Sequence, residues 1–280
     1  MPFPLRVSLM AEPLLPLLIE PAEFAPHLGR SEVVIVDLNQ PGIYARAHIP
    51  GAVSLDYGRI IAPHPPAAAL LPSAEQLAEV FGSIGLTPNH HIVAYDDEGN
   101  GRAARFLWTL DAIGHRGTSL VNGGLRAWLA DRQPTESGMR PIAPSRYPVH
   151  IVGDVIADKE SLLAHLDDPS IALVDTRTPE EYAGTNKRAM RAGHIPGAVN
   201  FNWTDAMDPT RHLRLKDTTE LKKALAGLGV TPDKEVITYC QTHHRSAHTY
   251  MVLRILGYSR VRSYPGSWSE WGNLPDTPIE

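Results

Sequence analysis

The stretch VITYCQTHHRS, residues 236–246, joins a short apolar run to a polar loop. The run is rich in β-branched residues, which predicts a buried strand. The residues that follow, up to Gly257, predict a helix that ends at a glycine. Cys240 lies between the two elements, where the unpaired N–H groups and the dipole of the helix stabilise a thiolate. This strand–loop–helix unit indicates an α/β fold with a reactive thiol at the end of a strand.

Cys240 is the only cysteine in 280 residues. A free cysteine is most often a small, buried, apolar side chain, but polar and cationic residues follow this one directly. Positive charge near a thiol favours the thiolate, which is the nucleophilic form. We therefore predict that Cys240 is catalytic and that the two histidines and the arginine make the loop cationic. The predicted substrate-binding loop consists of Gln241, Thr242, His243, His244 and Arg245.

The composition indicates a globular protein of one large domain or two ordinary ones. Hydrophobic residues make up 43% of the chain and charged residues 20%, so a sizeable core can be buried. The net charge is -5 without a basic block, which argues against a nucleic-acid partner. No apolar run approaches the roughly 20 residues of a membrane helix. The first residues make a poor signal peptide, so we expect a cytoplasmic protein. Met10 is an alternative to Met1 as the start of translation.

An internal duplication is the main feature of the chain's organisation. The sequence HIPGAV occurs at residues 48–53 and again at residues 194–199. IVAY at residues 92–95 corresponds in the same way to VITY at residues 236–239. Two copies of one domain are the simplest explanation.

Each copy alternates short apolar strands with amphipathic helices. This pattern predicts a mainly parallel sheet flanked by helices on both faces. A proline-rich segment between the copies predicts an interdomain linker. The predicted boundaries are 11–138 for the first domain, 139–154 for the linker and 155–280 for the second domain.

The two copies differ at the position of the thiol. Asp96 takes that place in the first copy, and Asp97 and Glu98 follow it. Three neighbouring carboxylates repel one another and would repel an anionic substrate. We therefore predict that the first domain is inactive and that the second carries the chemistry. For the acidic loop we favour structural support over the alternatives, shaping an entrance or docking a partner.

These residues resemble the tandem-domain rhodanese family of sulfurtransferases over nearly the whole chain. The resemblance rests on the duplication, on VDTR at residues 174–177, on GHIPGA at residues 193–198 and on the six-residue loop after the strand. The loop CQTHHR is similar to a variant found in some bacterial thiosulfate-type enzymes. It differs from CRKGVT in the vertebrate thiosulfate enzyme and from CGSGVT in the mercaptopyruvate enzymes.

The resemblance implies a two-step sulfur transfer that needs no cofactor. The Cys240 thiolate takes sulfur from thiosulfate and becomes a persulfide, which passes the sulfur to cyanide, to a thiol or to a sulfur-accepting protein. The N–H groups of the loop are expected to stabilise the negative sulfur. We expect no catalytic metal, because the adjacent His243 and His244 lack further ligands at zinc spacing.

Asp175, Arg188 and Arg191 are candidate supporting residues of the second domain. Asp175 has a counterpart in the inactive copy, Asp37, which favours a structural role. The family often places a donor-binding arginine where Glu181 stands here. Arg188 and Arg191, in an insertion of the second copy, are therefore candidates for the missing charge, and a solvated loop is the alternative.

Three other functions stay open. A 3-mercaptopyruvate sulfurtransferase is one, although a cationic loop favours the thiosulfate dianion. A persulfide sulfur carrier without catalytic turnover is the second. A cysteine-dependent phosphatase is the third, and it needs five residues between cysteine and arginine, whereas four separate Cys240 from Arg245.

Overall fold

Two parallel sheets, one from each copy of the repeat, organise the computed structural model, which describes residues 14–280. The apolar runs of the sequence form the central strands, because such strands are buried on both faces of a parallel sheet. The predicted fold class, two α/β domains with mainly parallel sheets flanked by helices, is confirmed. The alternative starts Met1 and Met10, and the first residues after the predicted boundary at 11, lie outside the described residues.

The first domain contains a five-stranded sheet and a separate hairpin. Its strands are β1 (Leu18–Ile19), β2 (Val33–Asp37), β3 (Val53–Ser54), β4 (Ala62–His64), β5 (Ala67–Leu70), β6 (His91–Tyr95) and β7 (Thr118–Val121). Its helices are α1 (Pro21–Phe24), α2 (Pro41–Arg46), α3 (Ala74–Ser83), α4 (Gly101–Ala112) and α5 (Gly124–Ala130), with 3-10 turns at Ala25–His27 and Tyr57–Ile60. The parallel sheet has the order β1-β7-β6-β2-β3, and β4 pairs with β5 in antiparallel fashion.

The second domain repeats this plan with four parallel strands. Its strands are β8 (Ile171–Asp175), β9 (Val199–Asn200), β10 (Met207–Asp208), β11 (Arg214–Leu215), β12 (Glu235–Tyr239) and β13 (Val261–Ser263). Its helices are α6 (Lys159–Ala164), α7 (Pro179–Tyr182), α8 (Thr218–Gly227), α9 (Arg245–Ile255) and α10 (Ser267–Trp271), with 3-10 turns at Trp203–Ala206 and Pro209–Arg211. The sheet order is β13-β12-β8-β9, and β10 and β11 form an antiparallel pair.

Alternate residues of each central strand enter different cores, because side chains of a strand alternate between its faces. In β2, Val36 joins the core between the domains, whereas Ile35 joins an outer core. In β12, Val236 and Ile237 divide in the same way. Helices therefore cover both faces of each sheet.

The inner faces of the two domains share one core, in which α4 packs against α9. These helices are equivalent, since each follows the loop at the thiol position. Arg105 Nη1 lies 3.5 Å from the His243 carbonyl at the start of the pair, and Arg254 Nη1 lies 3.0 Å from Asp111 Oδ2 at its end. The two helices therefore run in the same direction, and the loops that precede them lie side by side.

The predicted linker, residues 139–154, contains no helix or strand. It packs along the first domain: Tyr147 and Val149 are buried in the shared core, and the Ser145 N–H donates to the Gly82 carbonyl at 2.8 Å. The predicted boundaries of the two domains stay a prediction. Between residues 14 and 280, no helix has the length and apolar character required to cross a membrane.

Candidate active site

Cys240 directly follows β12, and its side chain is fully buried. The loop reaches α9 through His243, whose φ of +56° lies in the left-handed region. That conformation is uncommon for residues other than glycine, and Gly99, with a φ of +97°, takes the corresponding position in the first domain. The turn curls the backbone, so that the N–H groups of Thr242 and Ser246 hydrogen-bond the sulfur.

The pKa of the Cys240 thiol is lowered from its ordinary value, although burial by itself raises it. The charge of Arg245 is the largest opposing influence, followed by the Ser246 hydroxyl, which lies 3.5 Å from Sγ, and by the backbone N–H groups. A buried thiol that still ionises readily has the property a sulfur nucleophile needs. No sequence pattern indicated a role for Ser246, because serine is an ordinary residue in the first turn of a helix.

The equivalent loop of the first domain is occupied by an anion that belongs to the chain itself. The Asp96 carboxylate accepts four backbone hydrogen bonds, from Glu98 (2.9 Å), Asn100 (2.6 Å), Arg102 (2.8 Å) and Ala103 (3.0 Å). Burial, and next the charge of Glu98, nevertheless raise the pKa of Asp96 to about 6. This loop geometry therefore binds a negative group at the end of a short side chain.

The acidic loop of the first domain contacts the predicted catalytic loop, residues 240–245. His244 Nε2 lies 2.7 Å from Glu98 Oε1, and Arg102 Nη2 lies 2.9 Å from Glu98 Oε2. Burial alone raises the pKa of Glu98, but the hydrogen bond and charge of His244, together with Arg102, lower it overall. The rings of Tyr57 and Trp203 meet the His244 ring at centroid distances of 5.8 and 5.5 Å. Residues of both domains thus surround the catalytic loop.

The catalytic loop is less cationic than the sequence predicts. His243 is fully buried, which lowers its pKa well below the ordinary value and keeps the ring neutral. Arg245 donates to both carboxylate oxygens of Glu181, at 2.5 and 3.0 Å, and His244 faces Glu98. The expectation that His243 adds charge is wrong, because burial favours the neutral ring. The sequence could not predict the pairing of Arg245, since Glu181 lies 64 residues away.

The three candidate supporting residues have structural contacts. The Asp175 carboxylate pairs with the buried Arg177 guanidinium, at 2.5 Å, and so braces the end of β8. The Arg191 guanidinium donates to the carbonyls of Trp271 (3.0 Å) and Thr277 (2.7 Å), so it holds the C-terminal segment. These contacts show a structural role for Arg191, and the hypothesis that it also supplies charge near the Cys240 loop stays a prediction.

Arg188 contacts the catalytic loop through its backbone. Its carbonyl accepts a hydrogen bond from Gln241 Nε2 at 3.1 Å, while its side chain is exposed. The insertion that carries Arg188 therefore lies beside the loop. Arg105 of the first domain also reaches this loop, and no motif in the sequence had indicated it.

Known proteins share both the sequence pattern and the fold. The sequence model of the rhodanese-like domain family matches the chain twice, at residues 20–131 and 158–274. The chain is 49% identical to the thiosulfate sulfurtransferase of Pseudomonas aeruginosa, over 95% of this chain and 97% of that protein. It is 34% identical to the sulfur carrier protein TtuD of Thermus thermophilus, over 90% of this chain and 92% of that protein. The crystal structure of YnjE matches the fold with a TM-score of 0.84 at 22% identity, over 94% of this chain and 68% of that one.

Proposed function

Since this chain belongs to the rhodanese family, with two rhodanese-like domains in tandem, we propose that it is a thiosulfate sulfurtransferase that works through a persulfide on Cys240. One observation carries the proposal: the loop that holds the Asp96 carboxylate by four N–H groups in the first domain holds the Cys240 sulfur in the second. We also propose that the first domain is inactive, because a carboxylate cannot carry sulfane sulfur.

In the first step, the Cys240 thiolate attacks the outer sulfur of thiosulfate. The S–S bond of the donor breaks, and its electron pair leaves with sulfite. The transferred sulfur is then bonded to Sγ as a persulfide, whose outer atom is negative. The lowered pKa of the thiol supports this step, because it increases the fraction of the nucleophilic thiolate at a given pH.

The outer sulfur of the persulfide is separated from Cβ by two bonds, as a carboxylate oxygen of aspartate is. Cβ–Sγ–Sδ corresponds to Cβ–Cγ–Oδ, so the outer sulfur of Cys240 corresponds to a carboxylate oxygen of Asp96. The residues whose N–H groups hold those oxygens have the counterparts Thr242, His244, Ser246 and Ala247 in the second domain. We propose that these four N–H groups stabilise the persulfide, as preorganised donors do for a developing anion.

In the second step, cyanide or a thiolate attacks the outer sulfur. The persulfide S–S bond breaks, its electron pair returns to Sγ, and the thiolate is regenerated. With cyanide the product is thiocyanate. Both steps are displacements at sulfur, so the cycle consumes no oxidant or reductant and requires only two substrates in alternation.

A persulfide sulfur carrier is the second candidate, and the similarity to the Thermus thermophilus protein of that name favours it. A sulfur-accepting protein would then replace cyanide. The phosphatase alternative has no such support. Its loop would be one residue too short, and Arg245, which would have to bind the phosphate, is paired with Glu181. A cytoplasmic location is part of the proposal and rests on the sequence alone.

Mass spectrometry of the intact protein tests the persulfide directly. Wild-type protein treated with thiosulfate should gain one sulfur atom, and cyanide should remove it. Cys240→Ser is the matched control: it should remain folded, gain no sulfur and show no thiosulfate:cyanide activity, because a hydroxyl does not form a stable persulfide. Sulfur uptake by Cys240→Ser, or wild-type protein without uptake, would contradict the proposal.

The donor is decided by kinetics. We expect kcat/KM with cyanide as acceptor to be higher for thiosulfate than for 3-mercaptopyruvate at one pH and ionic strength. A tenfold preference for 3-mercaptopyruvate would assign the chain to the other branch of the family. Repeated turnover distinguishes an enzyme from a carrier, which would transfer one sulfur atom per chain.

A further inference from the structure

Arg105 is a buried cation that the inactive domain places beside the catalytic loop. It lies in α4 and is fully buried. Its Nη1 donates to the carbonyls of Ala69 at 3.2 Å and His243 at 3.5 Å. Its Nη2 donates to the carbonyls of Leu70 at 3.2 Å and Ile60 at 3.5 Å. One guanidinium thus joins the β5 hairpin, a 3-10 turn and the catalytic loop.

The Arg105 charge has no carboxylate partner within 4.0 Å among residues 14–280. Burial lowers its pKa to about 10, so the guanidinium is still charged near neutral pH. A buried ion without a counter-ion is costly. Two groups that can become anionic influence it, the Tyr57 hydroxyl and the Cys240 thiol. Burial raises the pKa of Tyr57 to about 12, so this hydroxyl is neutral at physiological pH and Cys240 is the anion that remains.

We propose that Arg105 is a positioning residue of the active site: it holds the His243 carbonyl in place and, in addition to Arg245, contributes positive charge that stabilises the buried sulfur anion of Cys240. The inference deepens the proposed function and rests on it in taking Cys240 as the nucleophile. It gives the inactive domain a part in the reaction, since α4 of that domain carries the charge.

The other cationic side chains near the sulfur differ from Arg105, because each faces a carboxylate or is an uncharged histidine, although the charge of Arg245 still lowers the pKa of the thiol. Glu181 binds Arg245, and Glu98 faces both His244 and Arg102. Burial keeps His243 and His248 neutral, the latter with a pKa of about 3. Cys240 and Arg105 interact directly with three titratable side chains of the packed elements, Tyr57, His243 and Arg245. A second set interacts with those side chains or with their neighbour His244: Glu98, Arg102, Glu181 and His248.

His243 connects the two parts of the proposed role. Its left-handed backbone turns the loop toward the sulfur, and its carbonyl is the one that Arg105 binds. Trp108 lies between them in space: its ring is 4.2 Å from the His243 ring and 4.8 Å from the Arg105 guanidinium carbon. Loss of Arg105 therefore removes a charge and also one hydrogen bond that fixes the turn.

The pH dependence of alkylation tests this role, because Cys240 is the only thiol and iodoacetamide reacts with its thiolate. We expect Arg105→Gln to move the midpoint of the alkylation rate upward by about one pH unit, a roughly tenfold loss of thiolate below the midpoint. Arg105→Lys keeps the charge and should restore most of that shift. Arg254→Gln is the control, because Arg254 joins α9 to Asp111 at the far end of the same helix pair.

A midpoint unchanged in Arg105→Gln would overturn the proposal, as would the same shift in Arg105→Lys and Arg105→Gln. A comparable shift in Arg254→Gln would assign the effect to interface loosening and would also overturn it. If Arg105→Gln does not fold, Arg105→Lys decides: a midpoint within about 0.3 units of wild type supports the charge role, and a full unit contradicts it. Alkylation requires no sulfur donor, so the midpoints can be measured even if the wild-type protein forms no persulfide. Failure to form a persulfide would then contradict the proposed function alone.

Discussion

Ser246 is a single residue that lowers the pKa of the Cys240 thiol. Its hydroxyl lies 3.5 Å from Cys240 Sγ, and its backbone N–H also hydrogen-bonds the sulfur. Both bonds stabilise the thiolate against the cost of burial. The side chain also lies 2.8 Å from His243 Nδ1, so it is held in place. The hydroxyl and the N–H therefore make separable contributions to the thiol pKa.

Ser246→Ala removes the hydroxyl and leaves the N–H. The thiol pKa should rise, by roughly 0.5–1 unit for one hydrogen bond. Because the thiolate is the reactive form, activity falls as the pH falls through this pKa, and the acidic limb of the kcat/KM profile should move to higher pH. Ser263→Ala is the matched control, since Ser263 is a buried serine bonded to Thr238 and not to the sulfur. Coinciding profiles for Ser246→Ala and wild type would refute the role of the hydroxyl.

The loop that precedes α4 is stabilised by an anion of its own, the Asp96 carboxylate. Asp96→Ala would leave four N–H groups without their acceptor, two of them in buried and two in part-buried hydrogen bonds. Unsatisfied buried groups cost stability, so the free energy of unfolding should fall by about 3 kcal/mol. Urea denaturation measures the loss.

Asp97→Ala is the control for Asp96→Ala, since Asp97 belongs to the same loop and makes its described contact, with Arg126, through its backbone carbonyl. It should change the stability by no more than about 0.5 kcal/mol. Equal effects of the two substitutions would show that the carboxylate of Asp96 does not hold the loop.

Local sequence patterns predicted the elements, and long-range pairing determined the electrostatics. The central strands β2, β8 and β12 follow from apolar β-branched runs, because such runs require burial on both faces. The contacts of His244 with Glu98 and of Arg245 with Glu181 join residues 146 and 64 positions apart. No spacing rule connects such residues, so the sequence suggested a cationic loop where the fold pairs its charges.

The two domains of the molecule are copies of one fold, but they contribute differently to the surroundings of Cys240. Packing of α4 against α9 brings the two loops together. The first domain keeps an anion in its own loop through Asp96 and contributes Glu98 and Arg105 to the loop of the second. The first domain is thus part of the environment of Cys240, although it has no thiol of its own.

Buried histidines in both domains predict how the stability of the molecule depends on pH. Burial lowers the pKa of His91 from the ordinary 6.5 to about 4 and that of His248 to about 3, and it lowers that of His243 well below 6.5. As the pH falls below about 6.5, the unfolded chain therefore binds protons that the folded chain does not. Each histidine should then cost up to about 1.4 kcal/mol per pH unit.

Between pH 6.5 and pH 5, we expect the free energy of unfolding to fall as the pH falls. Asp96 opposes this below about pH 6, because its raised pKa lets the folded state bind a proton first. Burial also raises the pKa of Asp37 and Asp111, which therefore act in the same direction as Asp96. Burial likewise lowers the pKa of His90 and His115, so five histidines act against these three carboxyl groups. Urea denaturation at several pH values measures the slope. His248→Gln should reduce the slope of the unfolding free energy against pH by the contribution of one histidine. His150 is exposed, so His150→Gln should leave that slope unchanged. Stability that stays constant or rises over this interval would show that the buried rings accept protons in the folded state.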